Sequence, residues 1–231
     1  MRKLIRLAFV SLLVCLLSII FVPSANATQV YAVVHDGSGD FLIAKKNEQS
    51  YFYGPSDRNP RGTTDPRGMR VNGCGNYAFP GGRLDRNENI VDGATREFYE
   101  ETSVQLEAQD YLLVPAMYCE GDDYGGFCGV YFQYTENDFN RFVELVQAGL
   151  LEGEKAARFV RSQNLVNRYG YLRQEFGLAP MDNELSYGTV WNLETNWDDI
   201  IQLGNNPVTD WFYLILKNLN NVYFPGNRPI P

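Results

Sequence analysis

The stretch of this 231-residue chain that most constrains its fold runs from Gly82 to Val104. It opens with a glycine, carries a glutamate six residues later, and ends in an Arg-Glu pair followed by a Glu-Glu pair. Apolar residues within positions 90–102 return at helical intervals, so the sequence predicts a helix there. On that helix Glu97, Glu100 and Glu101 occupy positions i, i+3 and i+4, and their side chains therefore share one face.

Three neighbouring carboxylates repel one another by about 0.2–0.5 kcal/mol per exposed pair, and by more when they are desolvated. Mg²⁺ and Mn²⁺ prefer carboxylate oxygens, and an ion among these groups would remove the repulsion. The alternative is a solvated acidic helix face, which is the usual meaning of such a run. Residues 77–79 predict a strand that enters a turn at Gly81 and Gly82, where backbone can approach a ligand closely, and this favours the metal site.

The whole pattern resembles the signature of the Nudix hydrolases, enzymes that cleave diphosphate linkages with the help of divalent metal ions. Every fixed position of the signature is present except a glycine near its end, which is Ser103 here. The resemblance implies an α/β fold, namely a Nudix-type α/β/α sandwich with a mixed β-sheet. The missing glycine ends the helix in a left-handed conformation, so Ser103 would cost on the order of 1 kcal/mol in the same geometry.

The resemblance also implies roles for the residues of the signature. It gives four ligands for Mg²⁺ or Mn²⁺, namely the Gly82 carbonyl and the carboxylates of Glu97, Glu100 and Glu101. Glu97 and Glu101 would in addition be catalytic, and Glu88 would support the ligands. Arg83 follows the glycines, where a basic residue can touch phosphate. Arg96 is the second predicted substrate-binding residue, and its spacing also allows it to hold the carboxylate of Glu100.

A second acidic position is expected from a late loop, because many such enzymes have an acid there that acts as general base or completes the metal site. Glu184, which precedes a predicted strand ending near Trp191, is our choice for this catalytic role. Asp122, Asp123 and Asp182 are the alternatives. Each of them, Glu184 included, could equally be a plain loop carboxylate.

The function implied by the resemblance is metal-dependent hydrolysis of a diphosphate linkage in a nucleoside diphosphate derivative. A nucleotide sugar, an ADP-ribose-like compound and a dinucleotide all fit, so the expected partner is a small-molecule diphosphate. The alternative is a catalytically inactive Nudix-fold module that binds its ligand without cleaving it. Such modules usually lose signature glutamates, whereas this chain has all four.

The first 27 residues are typical of a signal peptide. Three basic residues precede an apolar run, and Ala25-Asn26-Ala27 forms a small-x-small cleavage site. Cleavage would leave residues 28–231 as a single domain and export it, to the periplasm or outside the cell. A retained membrane anchor is the alternative.

Charge narrows the set of partners. Of the 20 Lys and Arg residues, three lie in residues 1–27, which contain no Asp or Glu. The other 17 stand against 28 acidic residues, so the exported chain would have a net charge of −11. This charge argues against nucleic acid as a partner and against stable membrane association after cleavage, since both need basic surface. The sequence is compatible with a homodimer.

Export would permit a disulfide. Cys119 and Cys128 flank a loop, which favours a cross-strand bridge between them, but a pairing that involves Cys74 stays open. The single histidine, His35, precedes an Asp-Gly turn and is predicted to lie at the surface beside that turn.

The remaining segments predict the rest of the architecture. Residues 29–44 predict two strands joined by a hairpin turn. Residues 49–75 are rich in Gly, Pro, Asn and Arg and predict a long surface loop, whose arginines form either a phosphate-contacting flap or a solvated irregular segment. Residues 136–179 predict a helical insertion with two or three helices, and residues 208–219 a closing amphipathic helix.

Overall fold

A computed structural model describes residues 29–56, 59–106, 117–122, 125–206 and 209–224. The predicted signal peptide and Asp123 lie outside these residues. Within the described ranges, no helix has the length and apolar character that a membrane span requires.

In the described part of the chain, six strands precede the first helix, and the later strands and helices follow in small groups. The described strands are β1 (Gln29–His35), β2 (Asp40–Lys46), β3 (Gln49–Tyr53), β4 (Thr63–Arg70), β5 (Tyr77–Ala78), β6 (Gly81–Arg83), β7 (Met117–Asp122), β8 (Gly125–Gln133) and β9 (Leu185–Asn192). The described helices are α1 (Ile90–Thr102), α2 (Glu136–Ser162), α3 (Tyr169–Glu175), α4 (Trp197–Gly204) and α5 (Asp210–Tyr223).

The central sheet is mixed, as predicted. Its core order is β5-β2-β1-β8-β7, with β6 also paired to β1 and β9 also paired to β2. β1 pairs in parallel with β8 over the whole length of β1, and the other pairs of this sheet are antiparallel. The predicted hairpin of residues 29–44 is confirmed as β1 and β2, joined by the turn after His35.

Helices cover both faces of this sheet. In β1, Val30, Ala32 and Val34 pack in the cluster that contains residues of α1 and α2. Val33 of the same strand points the other way, into the cluster formed with α4 and α5. The α/β/α sandwich is therefore confirmed.

Helix α1 has the predicted bounds. Asn89 caps its start, with its side chain accepting a hydrogen bond from the Asp92 N–H at 2.9 Å. Ala94 and Phe98 are fully buried and fix the helix to the sheet. Its last cap is Ser103 at φ 61° and ψ 12°, so the left-handed ending is kept without glycine.

The prediction of a long surface loop at residues 49–75 is wrong. β3 and β4 form a separate two-stranded antiparallel sheet there. Phe52 of β3 is buried in a third apolar cluster whose other members include Val160 and Leu172, from α2 and α3. The Gly and Pro content of β4 concealed the strand, because its pairing is stabilised by this packing rather than by local propensity.

Two helices in the predicted insertion are confirmed as α2 and α3. The first of them docks on the end of α1. A Cβ added at Gly149 of α2 would lie 2.1 Å from the Thr102 carbonyl oxygen, so only glycine permits this close approach. The closing helix α5 begins at Asp210, as predicted, whereas α4 was not predicted.

The prediction that His35 lies at the surface is wrong. Its side chain is fully buried, because Tyr223 and Phe224 at the end of α5 pack edge-on against the imidazole. The residues around His35 in the sequence do not indicate this contact, because it joins positions almost 190 residues apart.

The preferred cysteine pairing is confirmed. Cys119 of β7 and Cys128 of β8 are directly opposite partners in the ladder and form a disulfide. Cys74 is a free, half-buried thiol. The bridge fastens the outer hairpin of the sheet.

Candidate active site

Gly81 and Gly82, which were predicted to form a turn, lie in strand β6 and allow the acidic helix to lie close to that strand. Gly81 donates its backbone N–H to Glu101 Oε2 at 2.7 Å. A Cβ added at Gly82 would lie 2.4 Å from Glu97 Oε2, so the carboxylate occupies the space that any other side chain would need. Pairing of β6 with β1 holds both glycines in place beneath α1.

Arg96 binds the carboxylates on the outer side of the site. Its Nε and Nη2 donate to the two carboxylate oxygens of Glu88, each at 2.8 Å. Its Nη1 donates to Glu97 Oε1 at 2.9 Å and to Glu100 Oε2 at 3.3 Å. Nη2 also donates to the carbonyl of Arg83 at 3.0 Å, so one guanidinium joins the loop after β6 to α1. These hydrogen bonds lower the pKa of Glu88.

Glu97 and Glu101 are poorly hydrated. Burial raises the pKa of Glu97 to about 7, against the opposing effect of Arg96. Glu101 is only 3% exposed, and burial followed by repulsion from Asp182 raises its pKa well above the usual range. Burial and repulsion from Glu184 raise the pKa of Asp182 in the same way. Negative charge on these groups is therefore destabilised unless a cation is nearby.

Lys46, at the end of β2, is a cation inside this group. Its Nζ lies 3.1 Å from Glu184 Oε2. Burial lowers the pKa of Lys46, but the carboxylates of Glu101 and Glu184 outweigh it and the pKa rises. Burial raises the pKa of neighbouring Tyr31 to about 12, with Lys46 opposing and Glu101 adding to the shift. Neither residue was predicted, although a lysine that ends an apolar strand is a usable signal.

The acidic loop (residues 181–184) is tied to α1 and to β2. The N–H groups of Met181 and Asp182 both donate to the carbonyl of Glu100, at 2.7 and 3.3 Å. Asn47, just after β2, donates through Nδ2 to the carbonyls of Asn183 and Leu185, each at 3.0 Å. Its backbone N–H donates to the carbonyl of Glu184 at 2.7 Å. These bonds bring Glu184 beside a helix that lies about 80 residues earlier in the chain.

A cavity of about 770 Å³ opens beside the outer carboxylates. One wall comes from α1 and the loop before it, and contains Arg83, Leu84, Asp85, Arg86, Arg96, Glu97 and Glu100. Pro55 and Ser56, which follow β3, also line the cavity. The volume is in the range of small-molecule sites, about 300–1,000 Å³.

The predicted residues thus fall into two neighbouring groups. Arg83, Arg96, Glu97 and Glu100 line the cavity, whereas Glu101 and Glu184 lie with Lys46. Asp182 belongs to the second group, through its repulsion with Glu101. The side chains of Asp122 and Asp123 lie outside the described residues. Arg86 and Ser56 are cavity residues that sequence reasoning missed.

The donor chemistry fits a hard divalent cation. Oxygen is the only ligand type offered, and the carboxylates at the site are largely withdrawn from water. Among the residues that the structure describes, no three His, Cys, Asp or Glu side chains form a ready-made metal cage. Glu97 and Glu100 are instead hydrogen-bonded to Arg96.

The family comparison agrees with this arrangement. The model of the NUDIX domain family matches residues 26–138, about half of the chain. Residues 26–138 are a Nudix domain. The matched stretch contains the signature and strands β1 to β8, and β9 pairs with β2 to extend the sheet of this Nudix domain. No curated protein matches the chain.

Several solved structures match this chain, each with low identity and a low TM-score. A MutT protein from Methanosarcina mazei is 21% identical, with 46% of this chain and 59% of that chain covered and a TM-score of 0.27. A NUDIX hydrolase from Nitrosomonas europaea is 12% identical, with 88% and 93% covered and a TM-score of 0.37. The NUDIX domain of NrtR from Shewanella oneidensis, solved with ADP ribose, is 15% identical, with 86% and 90% covered and a TM-score of 0.36.

Proposed function

We propose that this Nudix domain protein is a metal-dependent hydrolase that cleaves a diphosphate linkage in a nucleoside diphosphate derivative. The substrate class includes nucleotide sugars, ADP-ribose-like compounds and dinucleotides. The observation that carries the proposal is the cavity wall that presents Arg83 and Arg86 together with Glu97 and Glu100. Guanidinium groups bind phosphate oxygens, and carboxylates bind the cations that accompany phosphates, so one wall offers both.

The residues proposed to hold Mg²⁺ or Mn²⁺ are Glu97, Glu100, Glu101 and the carbonyl of Gly82. A divalent ion bound there would supply positive charge to offset the charge that develops on the diphosphate. The raised pKa values of the three glutamates support this assignment, because a bound cation would stabilise their ionised forms. Arg96 orients Glu97 and Glu100 through its hydrogen bonds.

Glu184 is the proposed general base. Its Oε2 lies 3.1 Å from Lys46 Nζ, beside the signature carboxylates, and a carboxylate is a group that can accept a proton from the attacking water. Asp182 is less suited to this role, since burial and Glu184 favour its protonated form. In the reaction a bond forms between the water oxygen and one phosphorus atom, and the bond from that phosphorus to the bridging oxygen breaks. Two phosphate-bearing products result.

Export is part of the same proposal. The Cys119–Cys128 disulfide supports it, because such bridges persist in oxidising compartments outside the cytosol. The signal-peptide pattern of residues 1–27 points the same way.

The test is hydrolysis by the purified protein of a panel of nucleoside diphosphate derivatives with Mg²⁺ or Mn²⁺, followed by phosphorus NMR. We expect two phosphate products from at least one substrate, and none after the metal is chelated. Glu101→Gln should lower kcat by at least about 100-fold. Glu154→Gln is the matched control, because Glu154 is exposed on α2 and paired only with Arg158 among the described residues. Binding without turnover on every substrate would refute the hydrolase and support an inactive binding module.

A further inference from the structure

Arg173 of α3 binds the backbone of the segment that leads into the acidic loop. Its Nη1 donates to the carbonyl of Ala179 at 2.5 Å, and its Nη2 to that of Gly177 at 2.8 Å. Longer hydrogen bonds from Nη1 reach the carbonyls of Phe176 at 3.4 Å and Pro180 at 3.5 Å. Nη1 carries two N–H groups, so its three carbonyl partners share them, and the short bond to Ala179 is the main one.

The acidic loop begins at the next residue and is held from two sides. Tyr169, also on α3, donates its hydroxyl to the carbonyl of Met181 at 3.0 Å. From the other side, the carbonyl of Glu100 accepts the N–H groups of Met181 and Asp182. The loop is therefore a bridge between the helical segment (residues 136–179) and the acidic helix α1.

Such a bridge has to act against electrostatic repulsion. The loop presents the carboxylates of Asp182 and Glu184 to a helix that presents Glu97 and Glu101. Burial, and after it repulsion among these carboxylates, raises the pKa values of Glu97, Glu101 and Asp182. Hydrogen bonds to main-chain carbonyls hold the loop by its backbone and do not use its carboxylates.

We propose that Arg173 is a positioning residue, which fixes the acidic loop against α1 and thereby sets where Asp182 and Glu184 stand relative to Glu97 and Glu101. The effect of Arg173 on kcat rests on the proposed function, whereas its effect on the position of the loop does not. The helical segment then has a role in the site, since α3 supplies Tyr169, which bonds to the loop, and Arg173, which bonds to the segment that leads into it. If Arg173 only capped the C-terminal end of α3, its hydrogen bonds would reach no further than the carbonyls of Phe176 and Gly177, and its loss would not affect the reaction.

The first test measures the loop itself by hydrogen exchange. Arg173→Ala should speed exchange of the Met181 and Asp182 amides by about tenfold or more, because these amides bond to Glu100 only while the loop is held. Arg158→Ala is the matched control, since Arg158 lies in the same helical segment but pairs with exposed Glu154. Unchanged protection in Arg173→Ala would overturn the proposal. If that variant does not fold, Tyr169→Phe, which removes one hydroxyl from a packed ring, must show the faster exchange at Met181.

The second test separates positioning from folding. Arg173→Ala should lower kcat by about tenfold while KM stays within about twofold, because the cavity arginines that would bind phosphate are not altered. In a Glu184→Gln background the same change should have little further effect on kcat, and Arg173→Lys should recover part of the loss. Independent, multiplicative losses from Arg173→Ala and Glu184→Gln would overturn the proposal. If the wild-type protein hydrolyses no diphosphate, the proposed function fails, and the exchange contrast alone decides for or against the loop-fixing role of Arg173.

Discussion

The buried state of His35 predicts an acid-sensitive component of stability. Its Nδ1 accepts the Gly37 N–H at 3.2 Å, which leaves the ring proton on Nε2. Nε2 is buried and has no hydrogen-bond partner among the described residues. A second proton on Nδ1 would point at the Gly37 N–H and would remove the one hydrogen bond of the ring. Burial accordingly lowers the pKa of His35 from 6.5 to about 4, although Asp36 opposes the shift.

The size and sign of the effect follow from proton linkage. Between pH 6.5 and about 4 the unfolded chain binds a proton on His35 that the folded protein does not. The contribution of neutral His35 to the free energy of unfolding is therefore full above pH 6.5 and decreases as pH falls. At 1.36 kcal/mol per pKa unit the total loss is about 3 kcal/mol below pH 4. About 2 kcal/mol of this is lost by pH 5.

The assay is urea unfolding of the wild type and His35→Gln at pH 7.5, 6, 5 and 4, since glutamine can still accept from Gly37. The difference between the two proteins is the measured quantity, because the raised pKa values of Glu97 and Glu101 act in the opposite direction. Glu97 and Glu101 contribute stability that is fully present below their pKa in the unfolded chain. This stability is lost as pH rises through their pKa in the folded protein. The stability advantage of the wild type over His35→Gln should shrink by about 3 kcal/mol from pH 7.5 to 4. A difference that changes by less than about 1 kcal/mol over this range would refute the reasoning.

Two further predictions concern the signature segment. Gly82→Ala should lower kcat by at least about tenfold with little change in Tm, because its Cβ would displace the Glu97 carboxylate. Gly81→Ala should instead unfold the protein at a clearly lower temperature, since its Cβ would lie 2.2 Å from the backbone oxygen of Val30, and equal effects of the two changes on Tm would contradict this contrast. Ser103→Gly should raise the free energy of unfolding by about 0.5–1 kcal/mol in urea titrations, because Ser103 holds φ 61° at the end of α1. A lower stability of this variant would show that the serine side chain is needed there.

Local patterns in the sequence predicted the elements whose structure is decided locally. Helix α1 has its predicted bounds because a cap, an apolar stripe and a left-handed ending all act within fifteen residues. The β1–β2 hairpin was predicted for the same reason, with alternating apolar residues around an Asp-Gly turn. The signature also placed Glu97 and Glu101 on one face before any tertiary contact was known.

Elements that depend on distant partners were missed. Thr63–Arg70 contains Pro and Gly and has little strand propensity, yet it pairs with β3, whose Phe52 packs on residues of α2 and α3. His35 was wrongly predicted to lie at the surface, because the residues that cover it come from the end of α5, far away in the sequence. No sequence motif indicates the role of Arg173, because its partners are backbone carbonyls, which every residue has.

The site as a whole is assembled from three separate stretches of chain, and their charges explain why they must be held together. Arg96 neutralises the outer carboxylates from within the signature itself, and its spacing predicted the contact with Glu100 but not those with Glu88 and Glu97. The inner carboxylates depend on Lys46 from β2, and on the backbone bonds that Arg173 makes far from the signature. A signature can therefore specify which acids are present, but the packing of β2 and the helical segment decides where the last of them, Glu184, stands relative to Glu97 and Glu101.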